Sequence, residues 1–373
     1  MWNLAKKILL HDRVKFAVAS AGVSISVMLV LVQIGLYAGF MQTASTLIDH
    51  GHADLWVTRQ ASENFDFTAP LDDRTYYRVA STPGVARAER MILAFAQLKL
   101  DSGGDLGVQV VGVEPDAQLM GPWHVVAGDG RRVGEPGAIT VDRSEYAKLH
   151  IDRVGHRTEI NGARAEVVAM TDGIRSFTTS PLVFTDLTSA RTFTGYPAEA
   201  ENYVLVRVAA GADPIAVRDA LRAIPHVDAY TTSEMSARTR TYWSSRTGVG
   251  AGFFTTAILG IIVGLVVCGQ ILYNGTLQHL REYGTLKAMG AKNGQVVRVI
   301  LYQALIAAVV GLVFGGALAF LMRAAMKGAN LIVALSPGLF VATAIVTVVM
   351  CALASMLSII KVLRLDPATV FKV

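Results

Sequence analysis

Cysteine is scarce in this chain of 373 residues: there are two, Cys268 and Cys351, and both lie inside long apolar runs. A disulfide framework in the polar part of the chain is thereby excluded, and the pair lacks the spacing of a metal site. Both read as small apolar packing residues. A phosphate cradle of the form Gly-x-x-x-x-Gly-Lys-Ser/Thr is missing too. The nearest approach, Gly290-Ala-Lys-Asn-Gly294, has the wrong order and no following Ser or Thr, so the chain does not read as its own ATPase. Neither Gly-x-Ser-x-Gly nor His-Glu-x-x-His occurs, which removes two hydrolase signatures. Ionisable side chains are nearly absent from the apolar runs, with Asp12, Lys15 and Arg298 standing at their ends. A proton- or ion-coupled carrier needs such groups at membrane depth. The energy for any transport must therefore come from outside this chain.

What is present is apolar surface in blocks. Hydrophobic residues make up 52% and charged residues 17%, which is too apolar for an ordinary soluble protein and too polar for one wholly in the membrane. Four runs qualify as membrane helices: Ala17–Phe40, Val249–Tyr273, Val296–Met322 and Leu339–Ile360. The first is too long for the 7–15-residue core of a signal peptide; at 1.5 Å per residue it extends roughly 36 Å. Lys and Arg crowd the flanks before span one, between spans two and three, and after span four, and by the positive-inside rule these face the cytoplasm. Residues 42–247 hold 21 Lys and Arg against 26 Asp and Glu, a net of −5, and the rest of the chain carries +10. The high pI belongs to the cytoplasmic rim, which leaves a nucleic-acid partner without support.

The polar stretch 42–247 reads β-α-β at both ends. Strand 53–58, helix 74–80, a turn at Pro83-Gly84 and strand 85–90 open it. Strand 203–208, helix 214–223, a turn at Ile224-Pro225 and strand 228–231 close it. Between them lies a β-rich insertion with Asn161-Gly162 as a hairpin turn. Residues 232–247 predict a stalk helix running on into span two, with Trp243 near the membrane interface. His50-Gly-His52-Ala-Asp54 could place three side chains on one face of an extended segment, but no further ligand cluster accompanies it, so no metal site is assigned. Three pairs of small residues, Gly35/Gly39, Gly260/Gly264 and Gly311/Gly315, stand four apart in spans one, two and three, where they allow close helix packing within a bundle or between copies.

The segment 277–292 sits between two spans, too short to be a domain. Gly290 is placed to stop a helix there and Asn293 to cap the next. The run Arg281-Glu282-Tyr283-Gly284-Thr285-Leu286-Lys287-Ala288-Met289-Gly290-Ala291 resembles the coupling-helix signature of the FtsX-like and MacB-type permeases, the membrane subunits of mechanotransmitting ABC transporters. The ending Arg364-Leu-Asp366-Pro367 is similar to that family's tail, and residues 232–295 look closest to its DevC-like branch.

The resemblance implies a type VII mechanotransmission architecture: a four-helix membrane protein with a large α/β periplasmic domain, in the bacterial inner membrane. The expected layout has an interfacial helix 1–15 and spans at 16–41, 248–273, 296–322 and 339–360. The periplasmic domain is 42–247, with βαβ halves about 53–90 and 202–231, the insertion about 91–185 and the stalk 232–247. The coupling helix is 274–295, a short periplasmic loop 323–338 and a cytoplasmic tail 361–373. The implied partners are two copies of a separate ATP-binding subunit, a second copy of the chain, membrane lipid, a periplasmic adaptor and an outer-membrane channel. No cofactor is implied, and ATP hydrolysis resides in the partner. The implied function is export of a lipid, glycolipid, peptide or small hydrophobic compound. An FtsX-like role in regulating a periplasmic cell-wall hydrolase is the alternative.

Overall fold

The computed structural model describes Trp2, Ala5, Lys6 and residues 13–176, 180–327 and 331–364. The chain divides into two compact units, Phe40–Gly248 and Met1–Gly39 with Val249–Val373. Helix α1 (Arg13–Ala44) begins in the second and ends in the first.

In the α/β unit, α2 (Thr46–His50) precedes ten strands that join one sheet. They are β1 (Leu55–Arg59), β2 (Val85–Lys99), β3 (Asp105–Val113), β4 (Val125–Gly128), β5 (Ala138–Asp142), β6 (Arg157–Ile160), β7 (Ala163–Thr171), β8 (Leu182–Asp186), β9 (Tyr203–Val208) and β10 (Val227–Thr231). Helices α3 (Asp73–Ala80), α4 (Leu187–Thr194), α5 (Pro214–Arg222) and α6 (Thr232–Thr241) connect or follow them. The main path runs β10-β1-β9-β2-β6-β7-β4, with β3 joining β2 to β8 and β5 lying on β7. Its first four strands pair antiparallel throughout. With α3 after β1 and α5 after β9, they make two interleaved β-α-β halves, a split βαβ arrangement.

Alternation along these strands fills both faces of the sheet. Leu55, Val57, Val204 and Val206 pack with Val79 of α3 and with Val217 and Leu221 of α5. Trp56, Tyr203, Leu205 and Tyr230 point the other way, into a cluster with Leu47 and Ile48 of α2 and Met235 of α6. The helix starts are written locally. Asp72 accepts the Thr75 amide at 2.9 Å, Asp213 precedes Pro214 at the first turn of α5, and Thr231 and Glu234 form a capping box. Between β6 and β7, Asn161 and Gly162 have φ of 47° and 80°, the two positive values that a tight hairpin turn demands.

One expectation fails at the end of this unit. The stalk does not continue as a helix into span two. After α6 come a π-helical turn, Tyr242–Arg246, and then Gly248 with φ 73°, a value that a right-handed helix cannot accommodate.

The helical unit contains α7 (Val249–Gln278), α8 (Leu280–Ala288), α9 (Asn293–Lys327), α10 (Pro337–Ala354) and α11 (Met356–Leu363), besides most of α1. Four helical stretches among the described residues are long and apolar enough to cross a membrane: Phe16–Ala44, Val249–Gln278, Asn293–Met326 and Pro337–Leu363. The last is interrupted at Ser355, whose hydroxyl donates to the Ala352 carbonyl at 2.7 Å. The core joins Val23, Val27 and Leu31 of α1 to Cys268 and Leu272 of α7, Ala304 and Ala308 of α9, and Met350 and Cys351 of α10. The two thiols are free and 3.8 Å apart. Most of the expected interfacial helix 1–15, together with Asp366 and Pro367 of the tail motif, lies outside the described residues.

Candidate coupling surface at the turn between α7 and α9

The turn between the second and third candidate spans is more fully hydrogen-bonded than its length suggests. A single non-helical residue, His279, separates α7 from α8. The hydrogen bonds continue across it, from the His279 amide to the Gly275 carbonyl (3.2 Å) and from the Tyr283 amide to the His279 carbonyl (3.1 Å). The His279 ring meets the Glu282 carboxylate at 2.8 Å. Helix α8 then ends in a Schellman motif: the Ala291 amide reaches the Leu286 carbonyl and the Gly290 amide reaches that of Lys287, both at 3.0 Å. Gly290 supplies the φ of 93° that the motif needs. The next helix starts one residue earlier than its sequence suggests. Lys292, not Asn293, holds the capping position, its amide donating to Gln295 Oε1 at 3.0 Å.

The signature residues separate onto two faces. Tyr283 is fully buried in a cluster with Ala5, Val296, Val299, Ile300 and Val362, and Leu286 and Ala291 pack against it. Burial pushes the Tyr283 phenol up to about 12, with Gln303 as its polar neighbour. Gly284 is buried beside it. Lys287 is not a free surface charge, because its ammonium donates to the Val362 and Leu363 carbonyls at 2.8 and 3.1 Å. It thereby satisfies the last carbonyls of α11, where a cation is favoured. Arg281, Glu282, Thr285, Ala288 and Met289 are exposed, Met289 at 76%. Arg364 follows directly on α11.

The glycine pairs are placed against other segments of the same chain. A Cβ on Gly264 would lie 2.5 Å from Ser26 Oγ, one on Gly311 2.3 Å from Val23 Cγ1, and one on Gly315 2.6 Å from the Ser24 carbonyl. Gly260 faces Leu29, Gly35 faces Val333, and Gly39 faces the Ile332 backbone. Residues 16–224 match the MacB-like periplasmic core domain, and residues 254–367 match the FtsX-like permease C-terminal domain. This chain belongs to the MacB/FtsX-type ABC transporter permeases. As such it implies a partner ATP-binding subunit. An uncharacterized ABC transporter permease of Mycobacterium bovis is 26% identical over 362 residues, 96% of this chain and 95% of the relative. One from Mycobacterium tuberculosis is 24% identical over the same shares. The crystal structure of the periplasmic region of MacB from Actinobacillus actinomycetemcomitans, 7% identical, is matched over 51% of this permease and 94% of that chain, with a TM-score of 0.36.

Two groups in the permease carry roles that sequence reasoning missed. Ser26 donates to the Gly260 carbonyl at 2.8 Å, joining α1 to α7 where Gly260 and Gly264 leave room. Three serines, Ser20, Ser24 and Ser26, in an apolar run were the available signal. Lys287 acts through carbonyls 75 residues away, for which no local signal exists. In the His50–Asp54 segment the side chains diverge: the His50 ring stacks on Trp123 at 4.4 Å, and Asp54 accepts the Val208 amide at 2.8 Å.

Proposed function

We propose that this permease transmits ATP-driven motion from two copies of a separate ATP-binding subunit, through α8, to its large periplasmic domain. Two copies of the chain make the transmembrane part. The motion drives export of a lipid, glycolipid, peptide or small hydrophobic compound through an adaptor and an outer-membrane duct. The resemblance of residues 232–295 to the DevC-like branch supports the adaptor-dependent reading. The observation that carries the coupling role is the division of α8: one face is locked inward by Tyr283 and Lys287, and the opposite face exposes Arg281, Glu282 and Ala288, with Met289 just beyond its end. A push on the outer face is then handed to α7 through one residue, and to α11 through Lys287.

Met289 is the better probe of docking than Leu286, since Leu286 packs inward and its loss would disturb the helix itself. Replacing Met289 by Glu buries an unpaired carboxylate in the docked state and should weaken it by about 3 kcal/mol. Co-purification of the ATPase and its stimulated hydrolysis should both fall, with permease yield unchanged. Normal binding and normal stimulation by Met289→Glu would assign the coupling role elsewhere.

A further inference from the structure

Exposed aromatic rings gather at one place on the α/β unit. Phe67, in the loop between β1 and α3, is 60% exposed, and Phe95 of β2 is 40% exposed. Their rings stack with centroids 6.0 Å apart. Phe67 also lies 6.4 Å from Trp243, and Trp243 meets Phe40 edge-on at 6.3 Å. One exposed phenylalanine needs no explanation, but four rings from four segments form a patch.

The patch is held from beneath. Phe65, two residues before the exposed ring, is buried and stacks on Tyr203 at 5.1 Å. Asp66 between them is buried, accepting from Trp243 Nε1 at 3.1 Å and Gln109 Nε2 at 3.3 Å. These contacts fix the loop and the indole, so the exposure of Phe67 is built in and not a product of a loose loop. At its border Arg246 pairs with Glu63 at 2.7 Å, both exposed.

Chain position indicates what covers the rings. Phe40 lies inside the candidate span Phe16–Ala44, and Trp243 stands six residues ahead of the span Val249–Gln278. One of the four rings thus lies within a candidate membrane span, and a second lies a few residues ahead of another. An indole flanked by apolar rings and bordered by charged groups is a composition that settles at headgroup level. We propose that Phe67 and Phe95, together with Phe40 and Trp243, form a lipid-docking patch by which the α/β domain rests on the headgroup–acyl boundary of the bilayer.

The test uses the full chain in vesicles of phosphatidylethanolamine and phosphatidylglycerol. Nitroxide labels are placed through Phe67→Cys, Phe95→Cys and, as a reference in an exposed loop, Ser102→Cys. Cys268 and Cys351 are buried, and the unsubstituted chain is the blank. Spin relaxation by oxygen, relative to that by a water-soluble nickel complex, should be at least about threefold higher at 67 and 95 than at 102. Equal ratios at the three sites overturn the proposal and leave the patch to a soluble partner. Should the cysteine variants fail to fold, fluorescence quenching by bromolipids decides. The quenched emission should drop when Trp243 is replaced by Phe, and no drop overturns the proposal.

Discussion

The turns of the α/β unit and the long apolar helices of this permease put glycine to different uses. In the turns of the α/β unit glycine is chosen for the backbone it allows: Gly162 has φ 80° and open space where a Cβ would go. Inside the long apolar helices it is chosen for the space it leaves: Gly315 sits in a regular helix, and a Cβ there would strike the Ser24 carbonyl at 2.6 Å and Val27 at 2.7 Å. The difference follows from the solvent. In water, burial of apolar surface drives packing and glycine serves chiefly where the chain must turn, although Gly112 makes room for Ala190. In lipid, apolar bulk gives no net attraction, so close backbone approach and buried hydrogen bonds hold helices together. Buried polar groups divide in the same way. Asp66 in the α/β unit is a carboxylate taken out of water, whereas Ser26 in the helical unit is a hydroxyl given a carbonyl across the bundle.

The hardest test of that contrast is Gly315→Leu. A rigid carbonyl cannot move aside, so the substitution should destabilise the bundle by about 3 kcal/mol or more, seen as loss of monodisperse protein in detergent. A normal melting temperature would mean that the helices are not packed as described.

Next in size is Asp66. Burial raises its pKa from 3.8 to about 6, against the pull of the Gln109 and Trp243 hydrogen bonds. A folded-state pKa above the unfolded value means that the folded form binds the proton more tightly. The associated stability is therefore present below about pH 4 and is lost as pH rises through 6. The swing is on the order of 3 kcal/mol. Asp66→Asn should flatten the change in thermal stability between pH 4 and 6.5, and an unchanged slope would assign the titration to another group.

Gly162→Ala should lower stability by about 1–2 kcal/mol through the dihedral alone, and Gly162→Asn by less, since asparagine tolerates that region. Equal losses for the two would show that space matters at this turn as well. Smallest is Ser26→Ala, about 0.6 kcal/mol by the average for hydrogen bonds between membrane helices. A loss several times larger would bring the bundle closer to the behaviour of the water-soluble unit.

The legibility of the sequence also differs between the units. The membrane helices could be read from composition because the change from polar to apolar is local, and Asn161-Gly162 marked its hairpin by the same local rule. The coupling segment was visible as a motif, but its inward and outward faces were not. Lys287 reads as an exposed cation until the end of α11 is brought beside it. The order of the sheet was equally hidden. Pairing β9 between β1 and β2 depends on contacts more than a hundred residues apart, and nothing in a strand's alternation names its neighbour. The interruption at Tyr242–Gly248 had a weak local signal in Ser244, Ser245, Thr247 and Gly248, all poor helix formers, which the long apolar run that follows overshadowed.

Strand β2 has a consequence of a mechanical kind. Its fifteen residues extend about 50 Å at the usual rise. Val85–Met91 is bonded to β9 of the split βαβ half, and Met91–Lys99 to β3 of the insertion. One uninterrupted beam therefore belongs to both halves of the domain. A pull along it would load both ladders in shear, many bonds at once, and could not unzip them one by one. The split βαβ half and the insertion thus share one strand, so a displacement of either half loads the other through it.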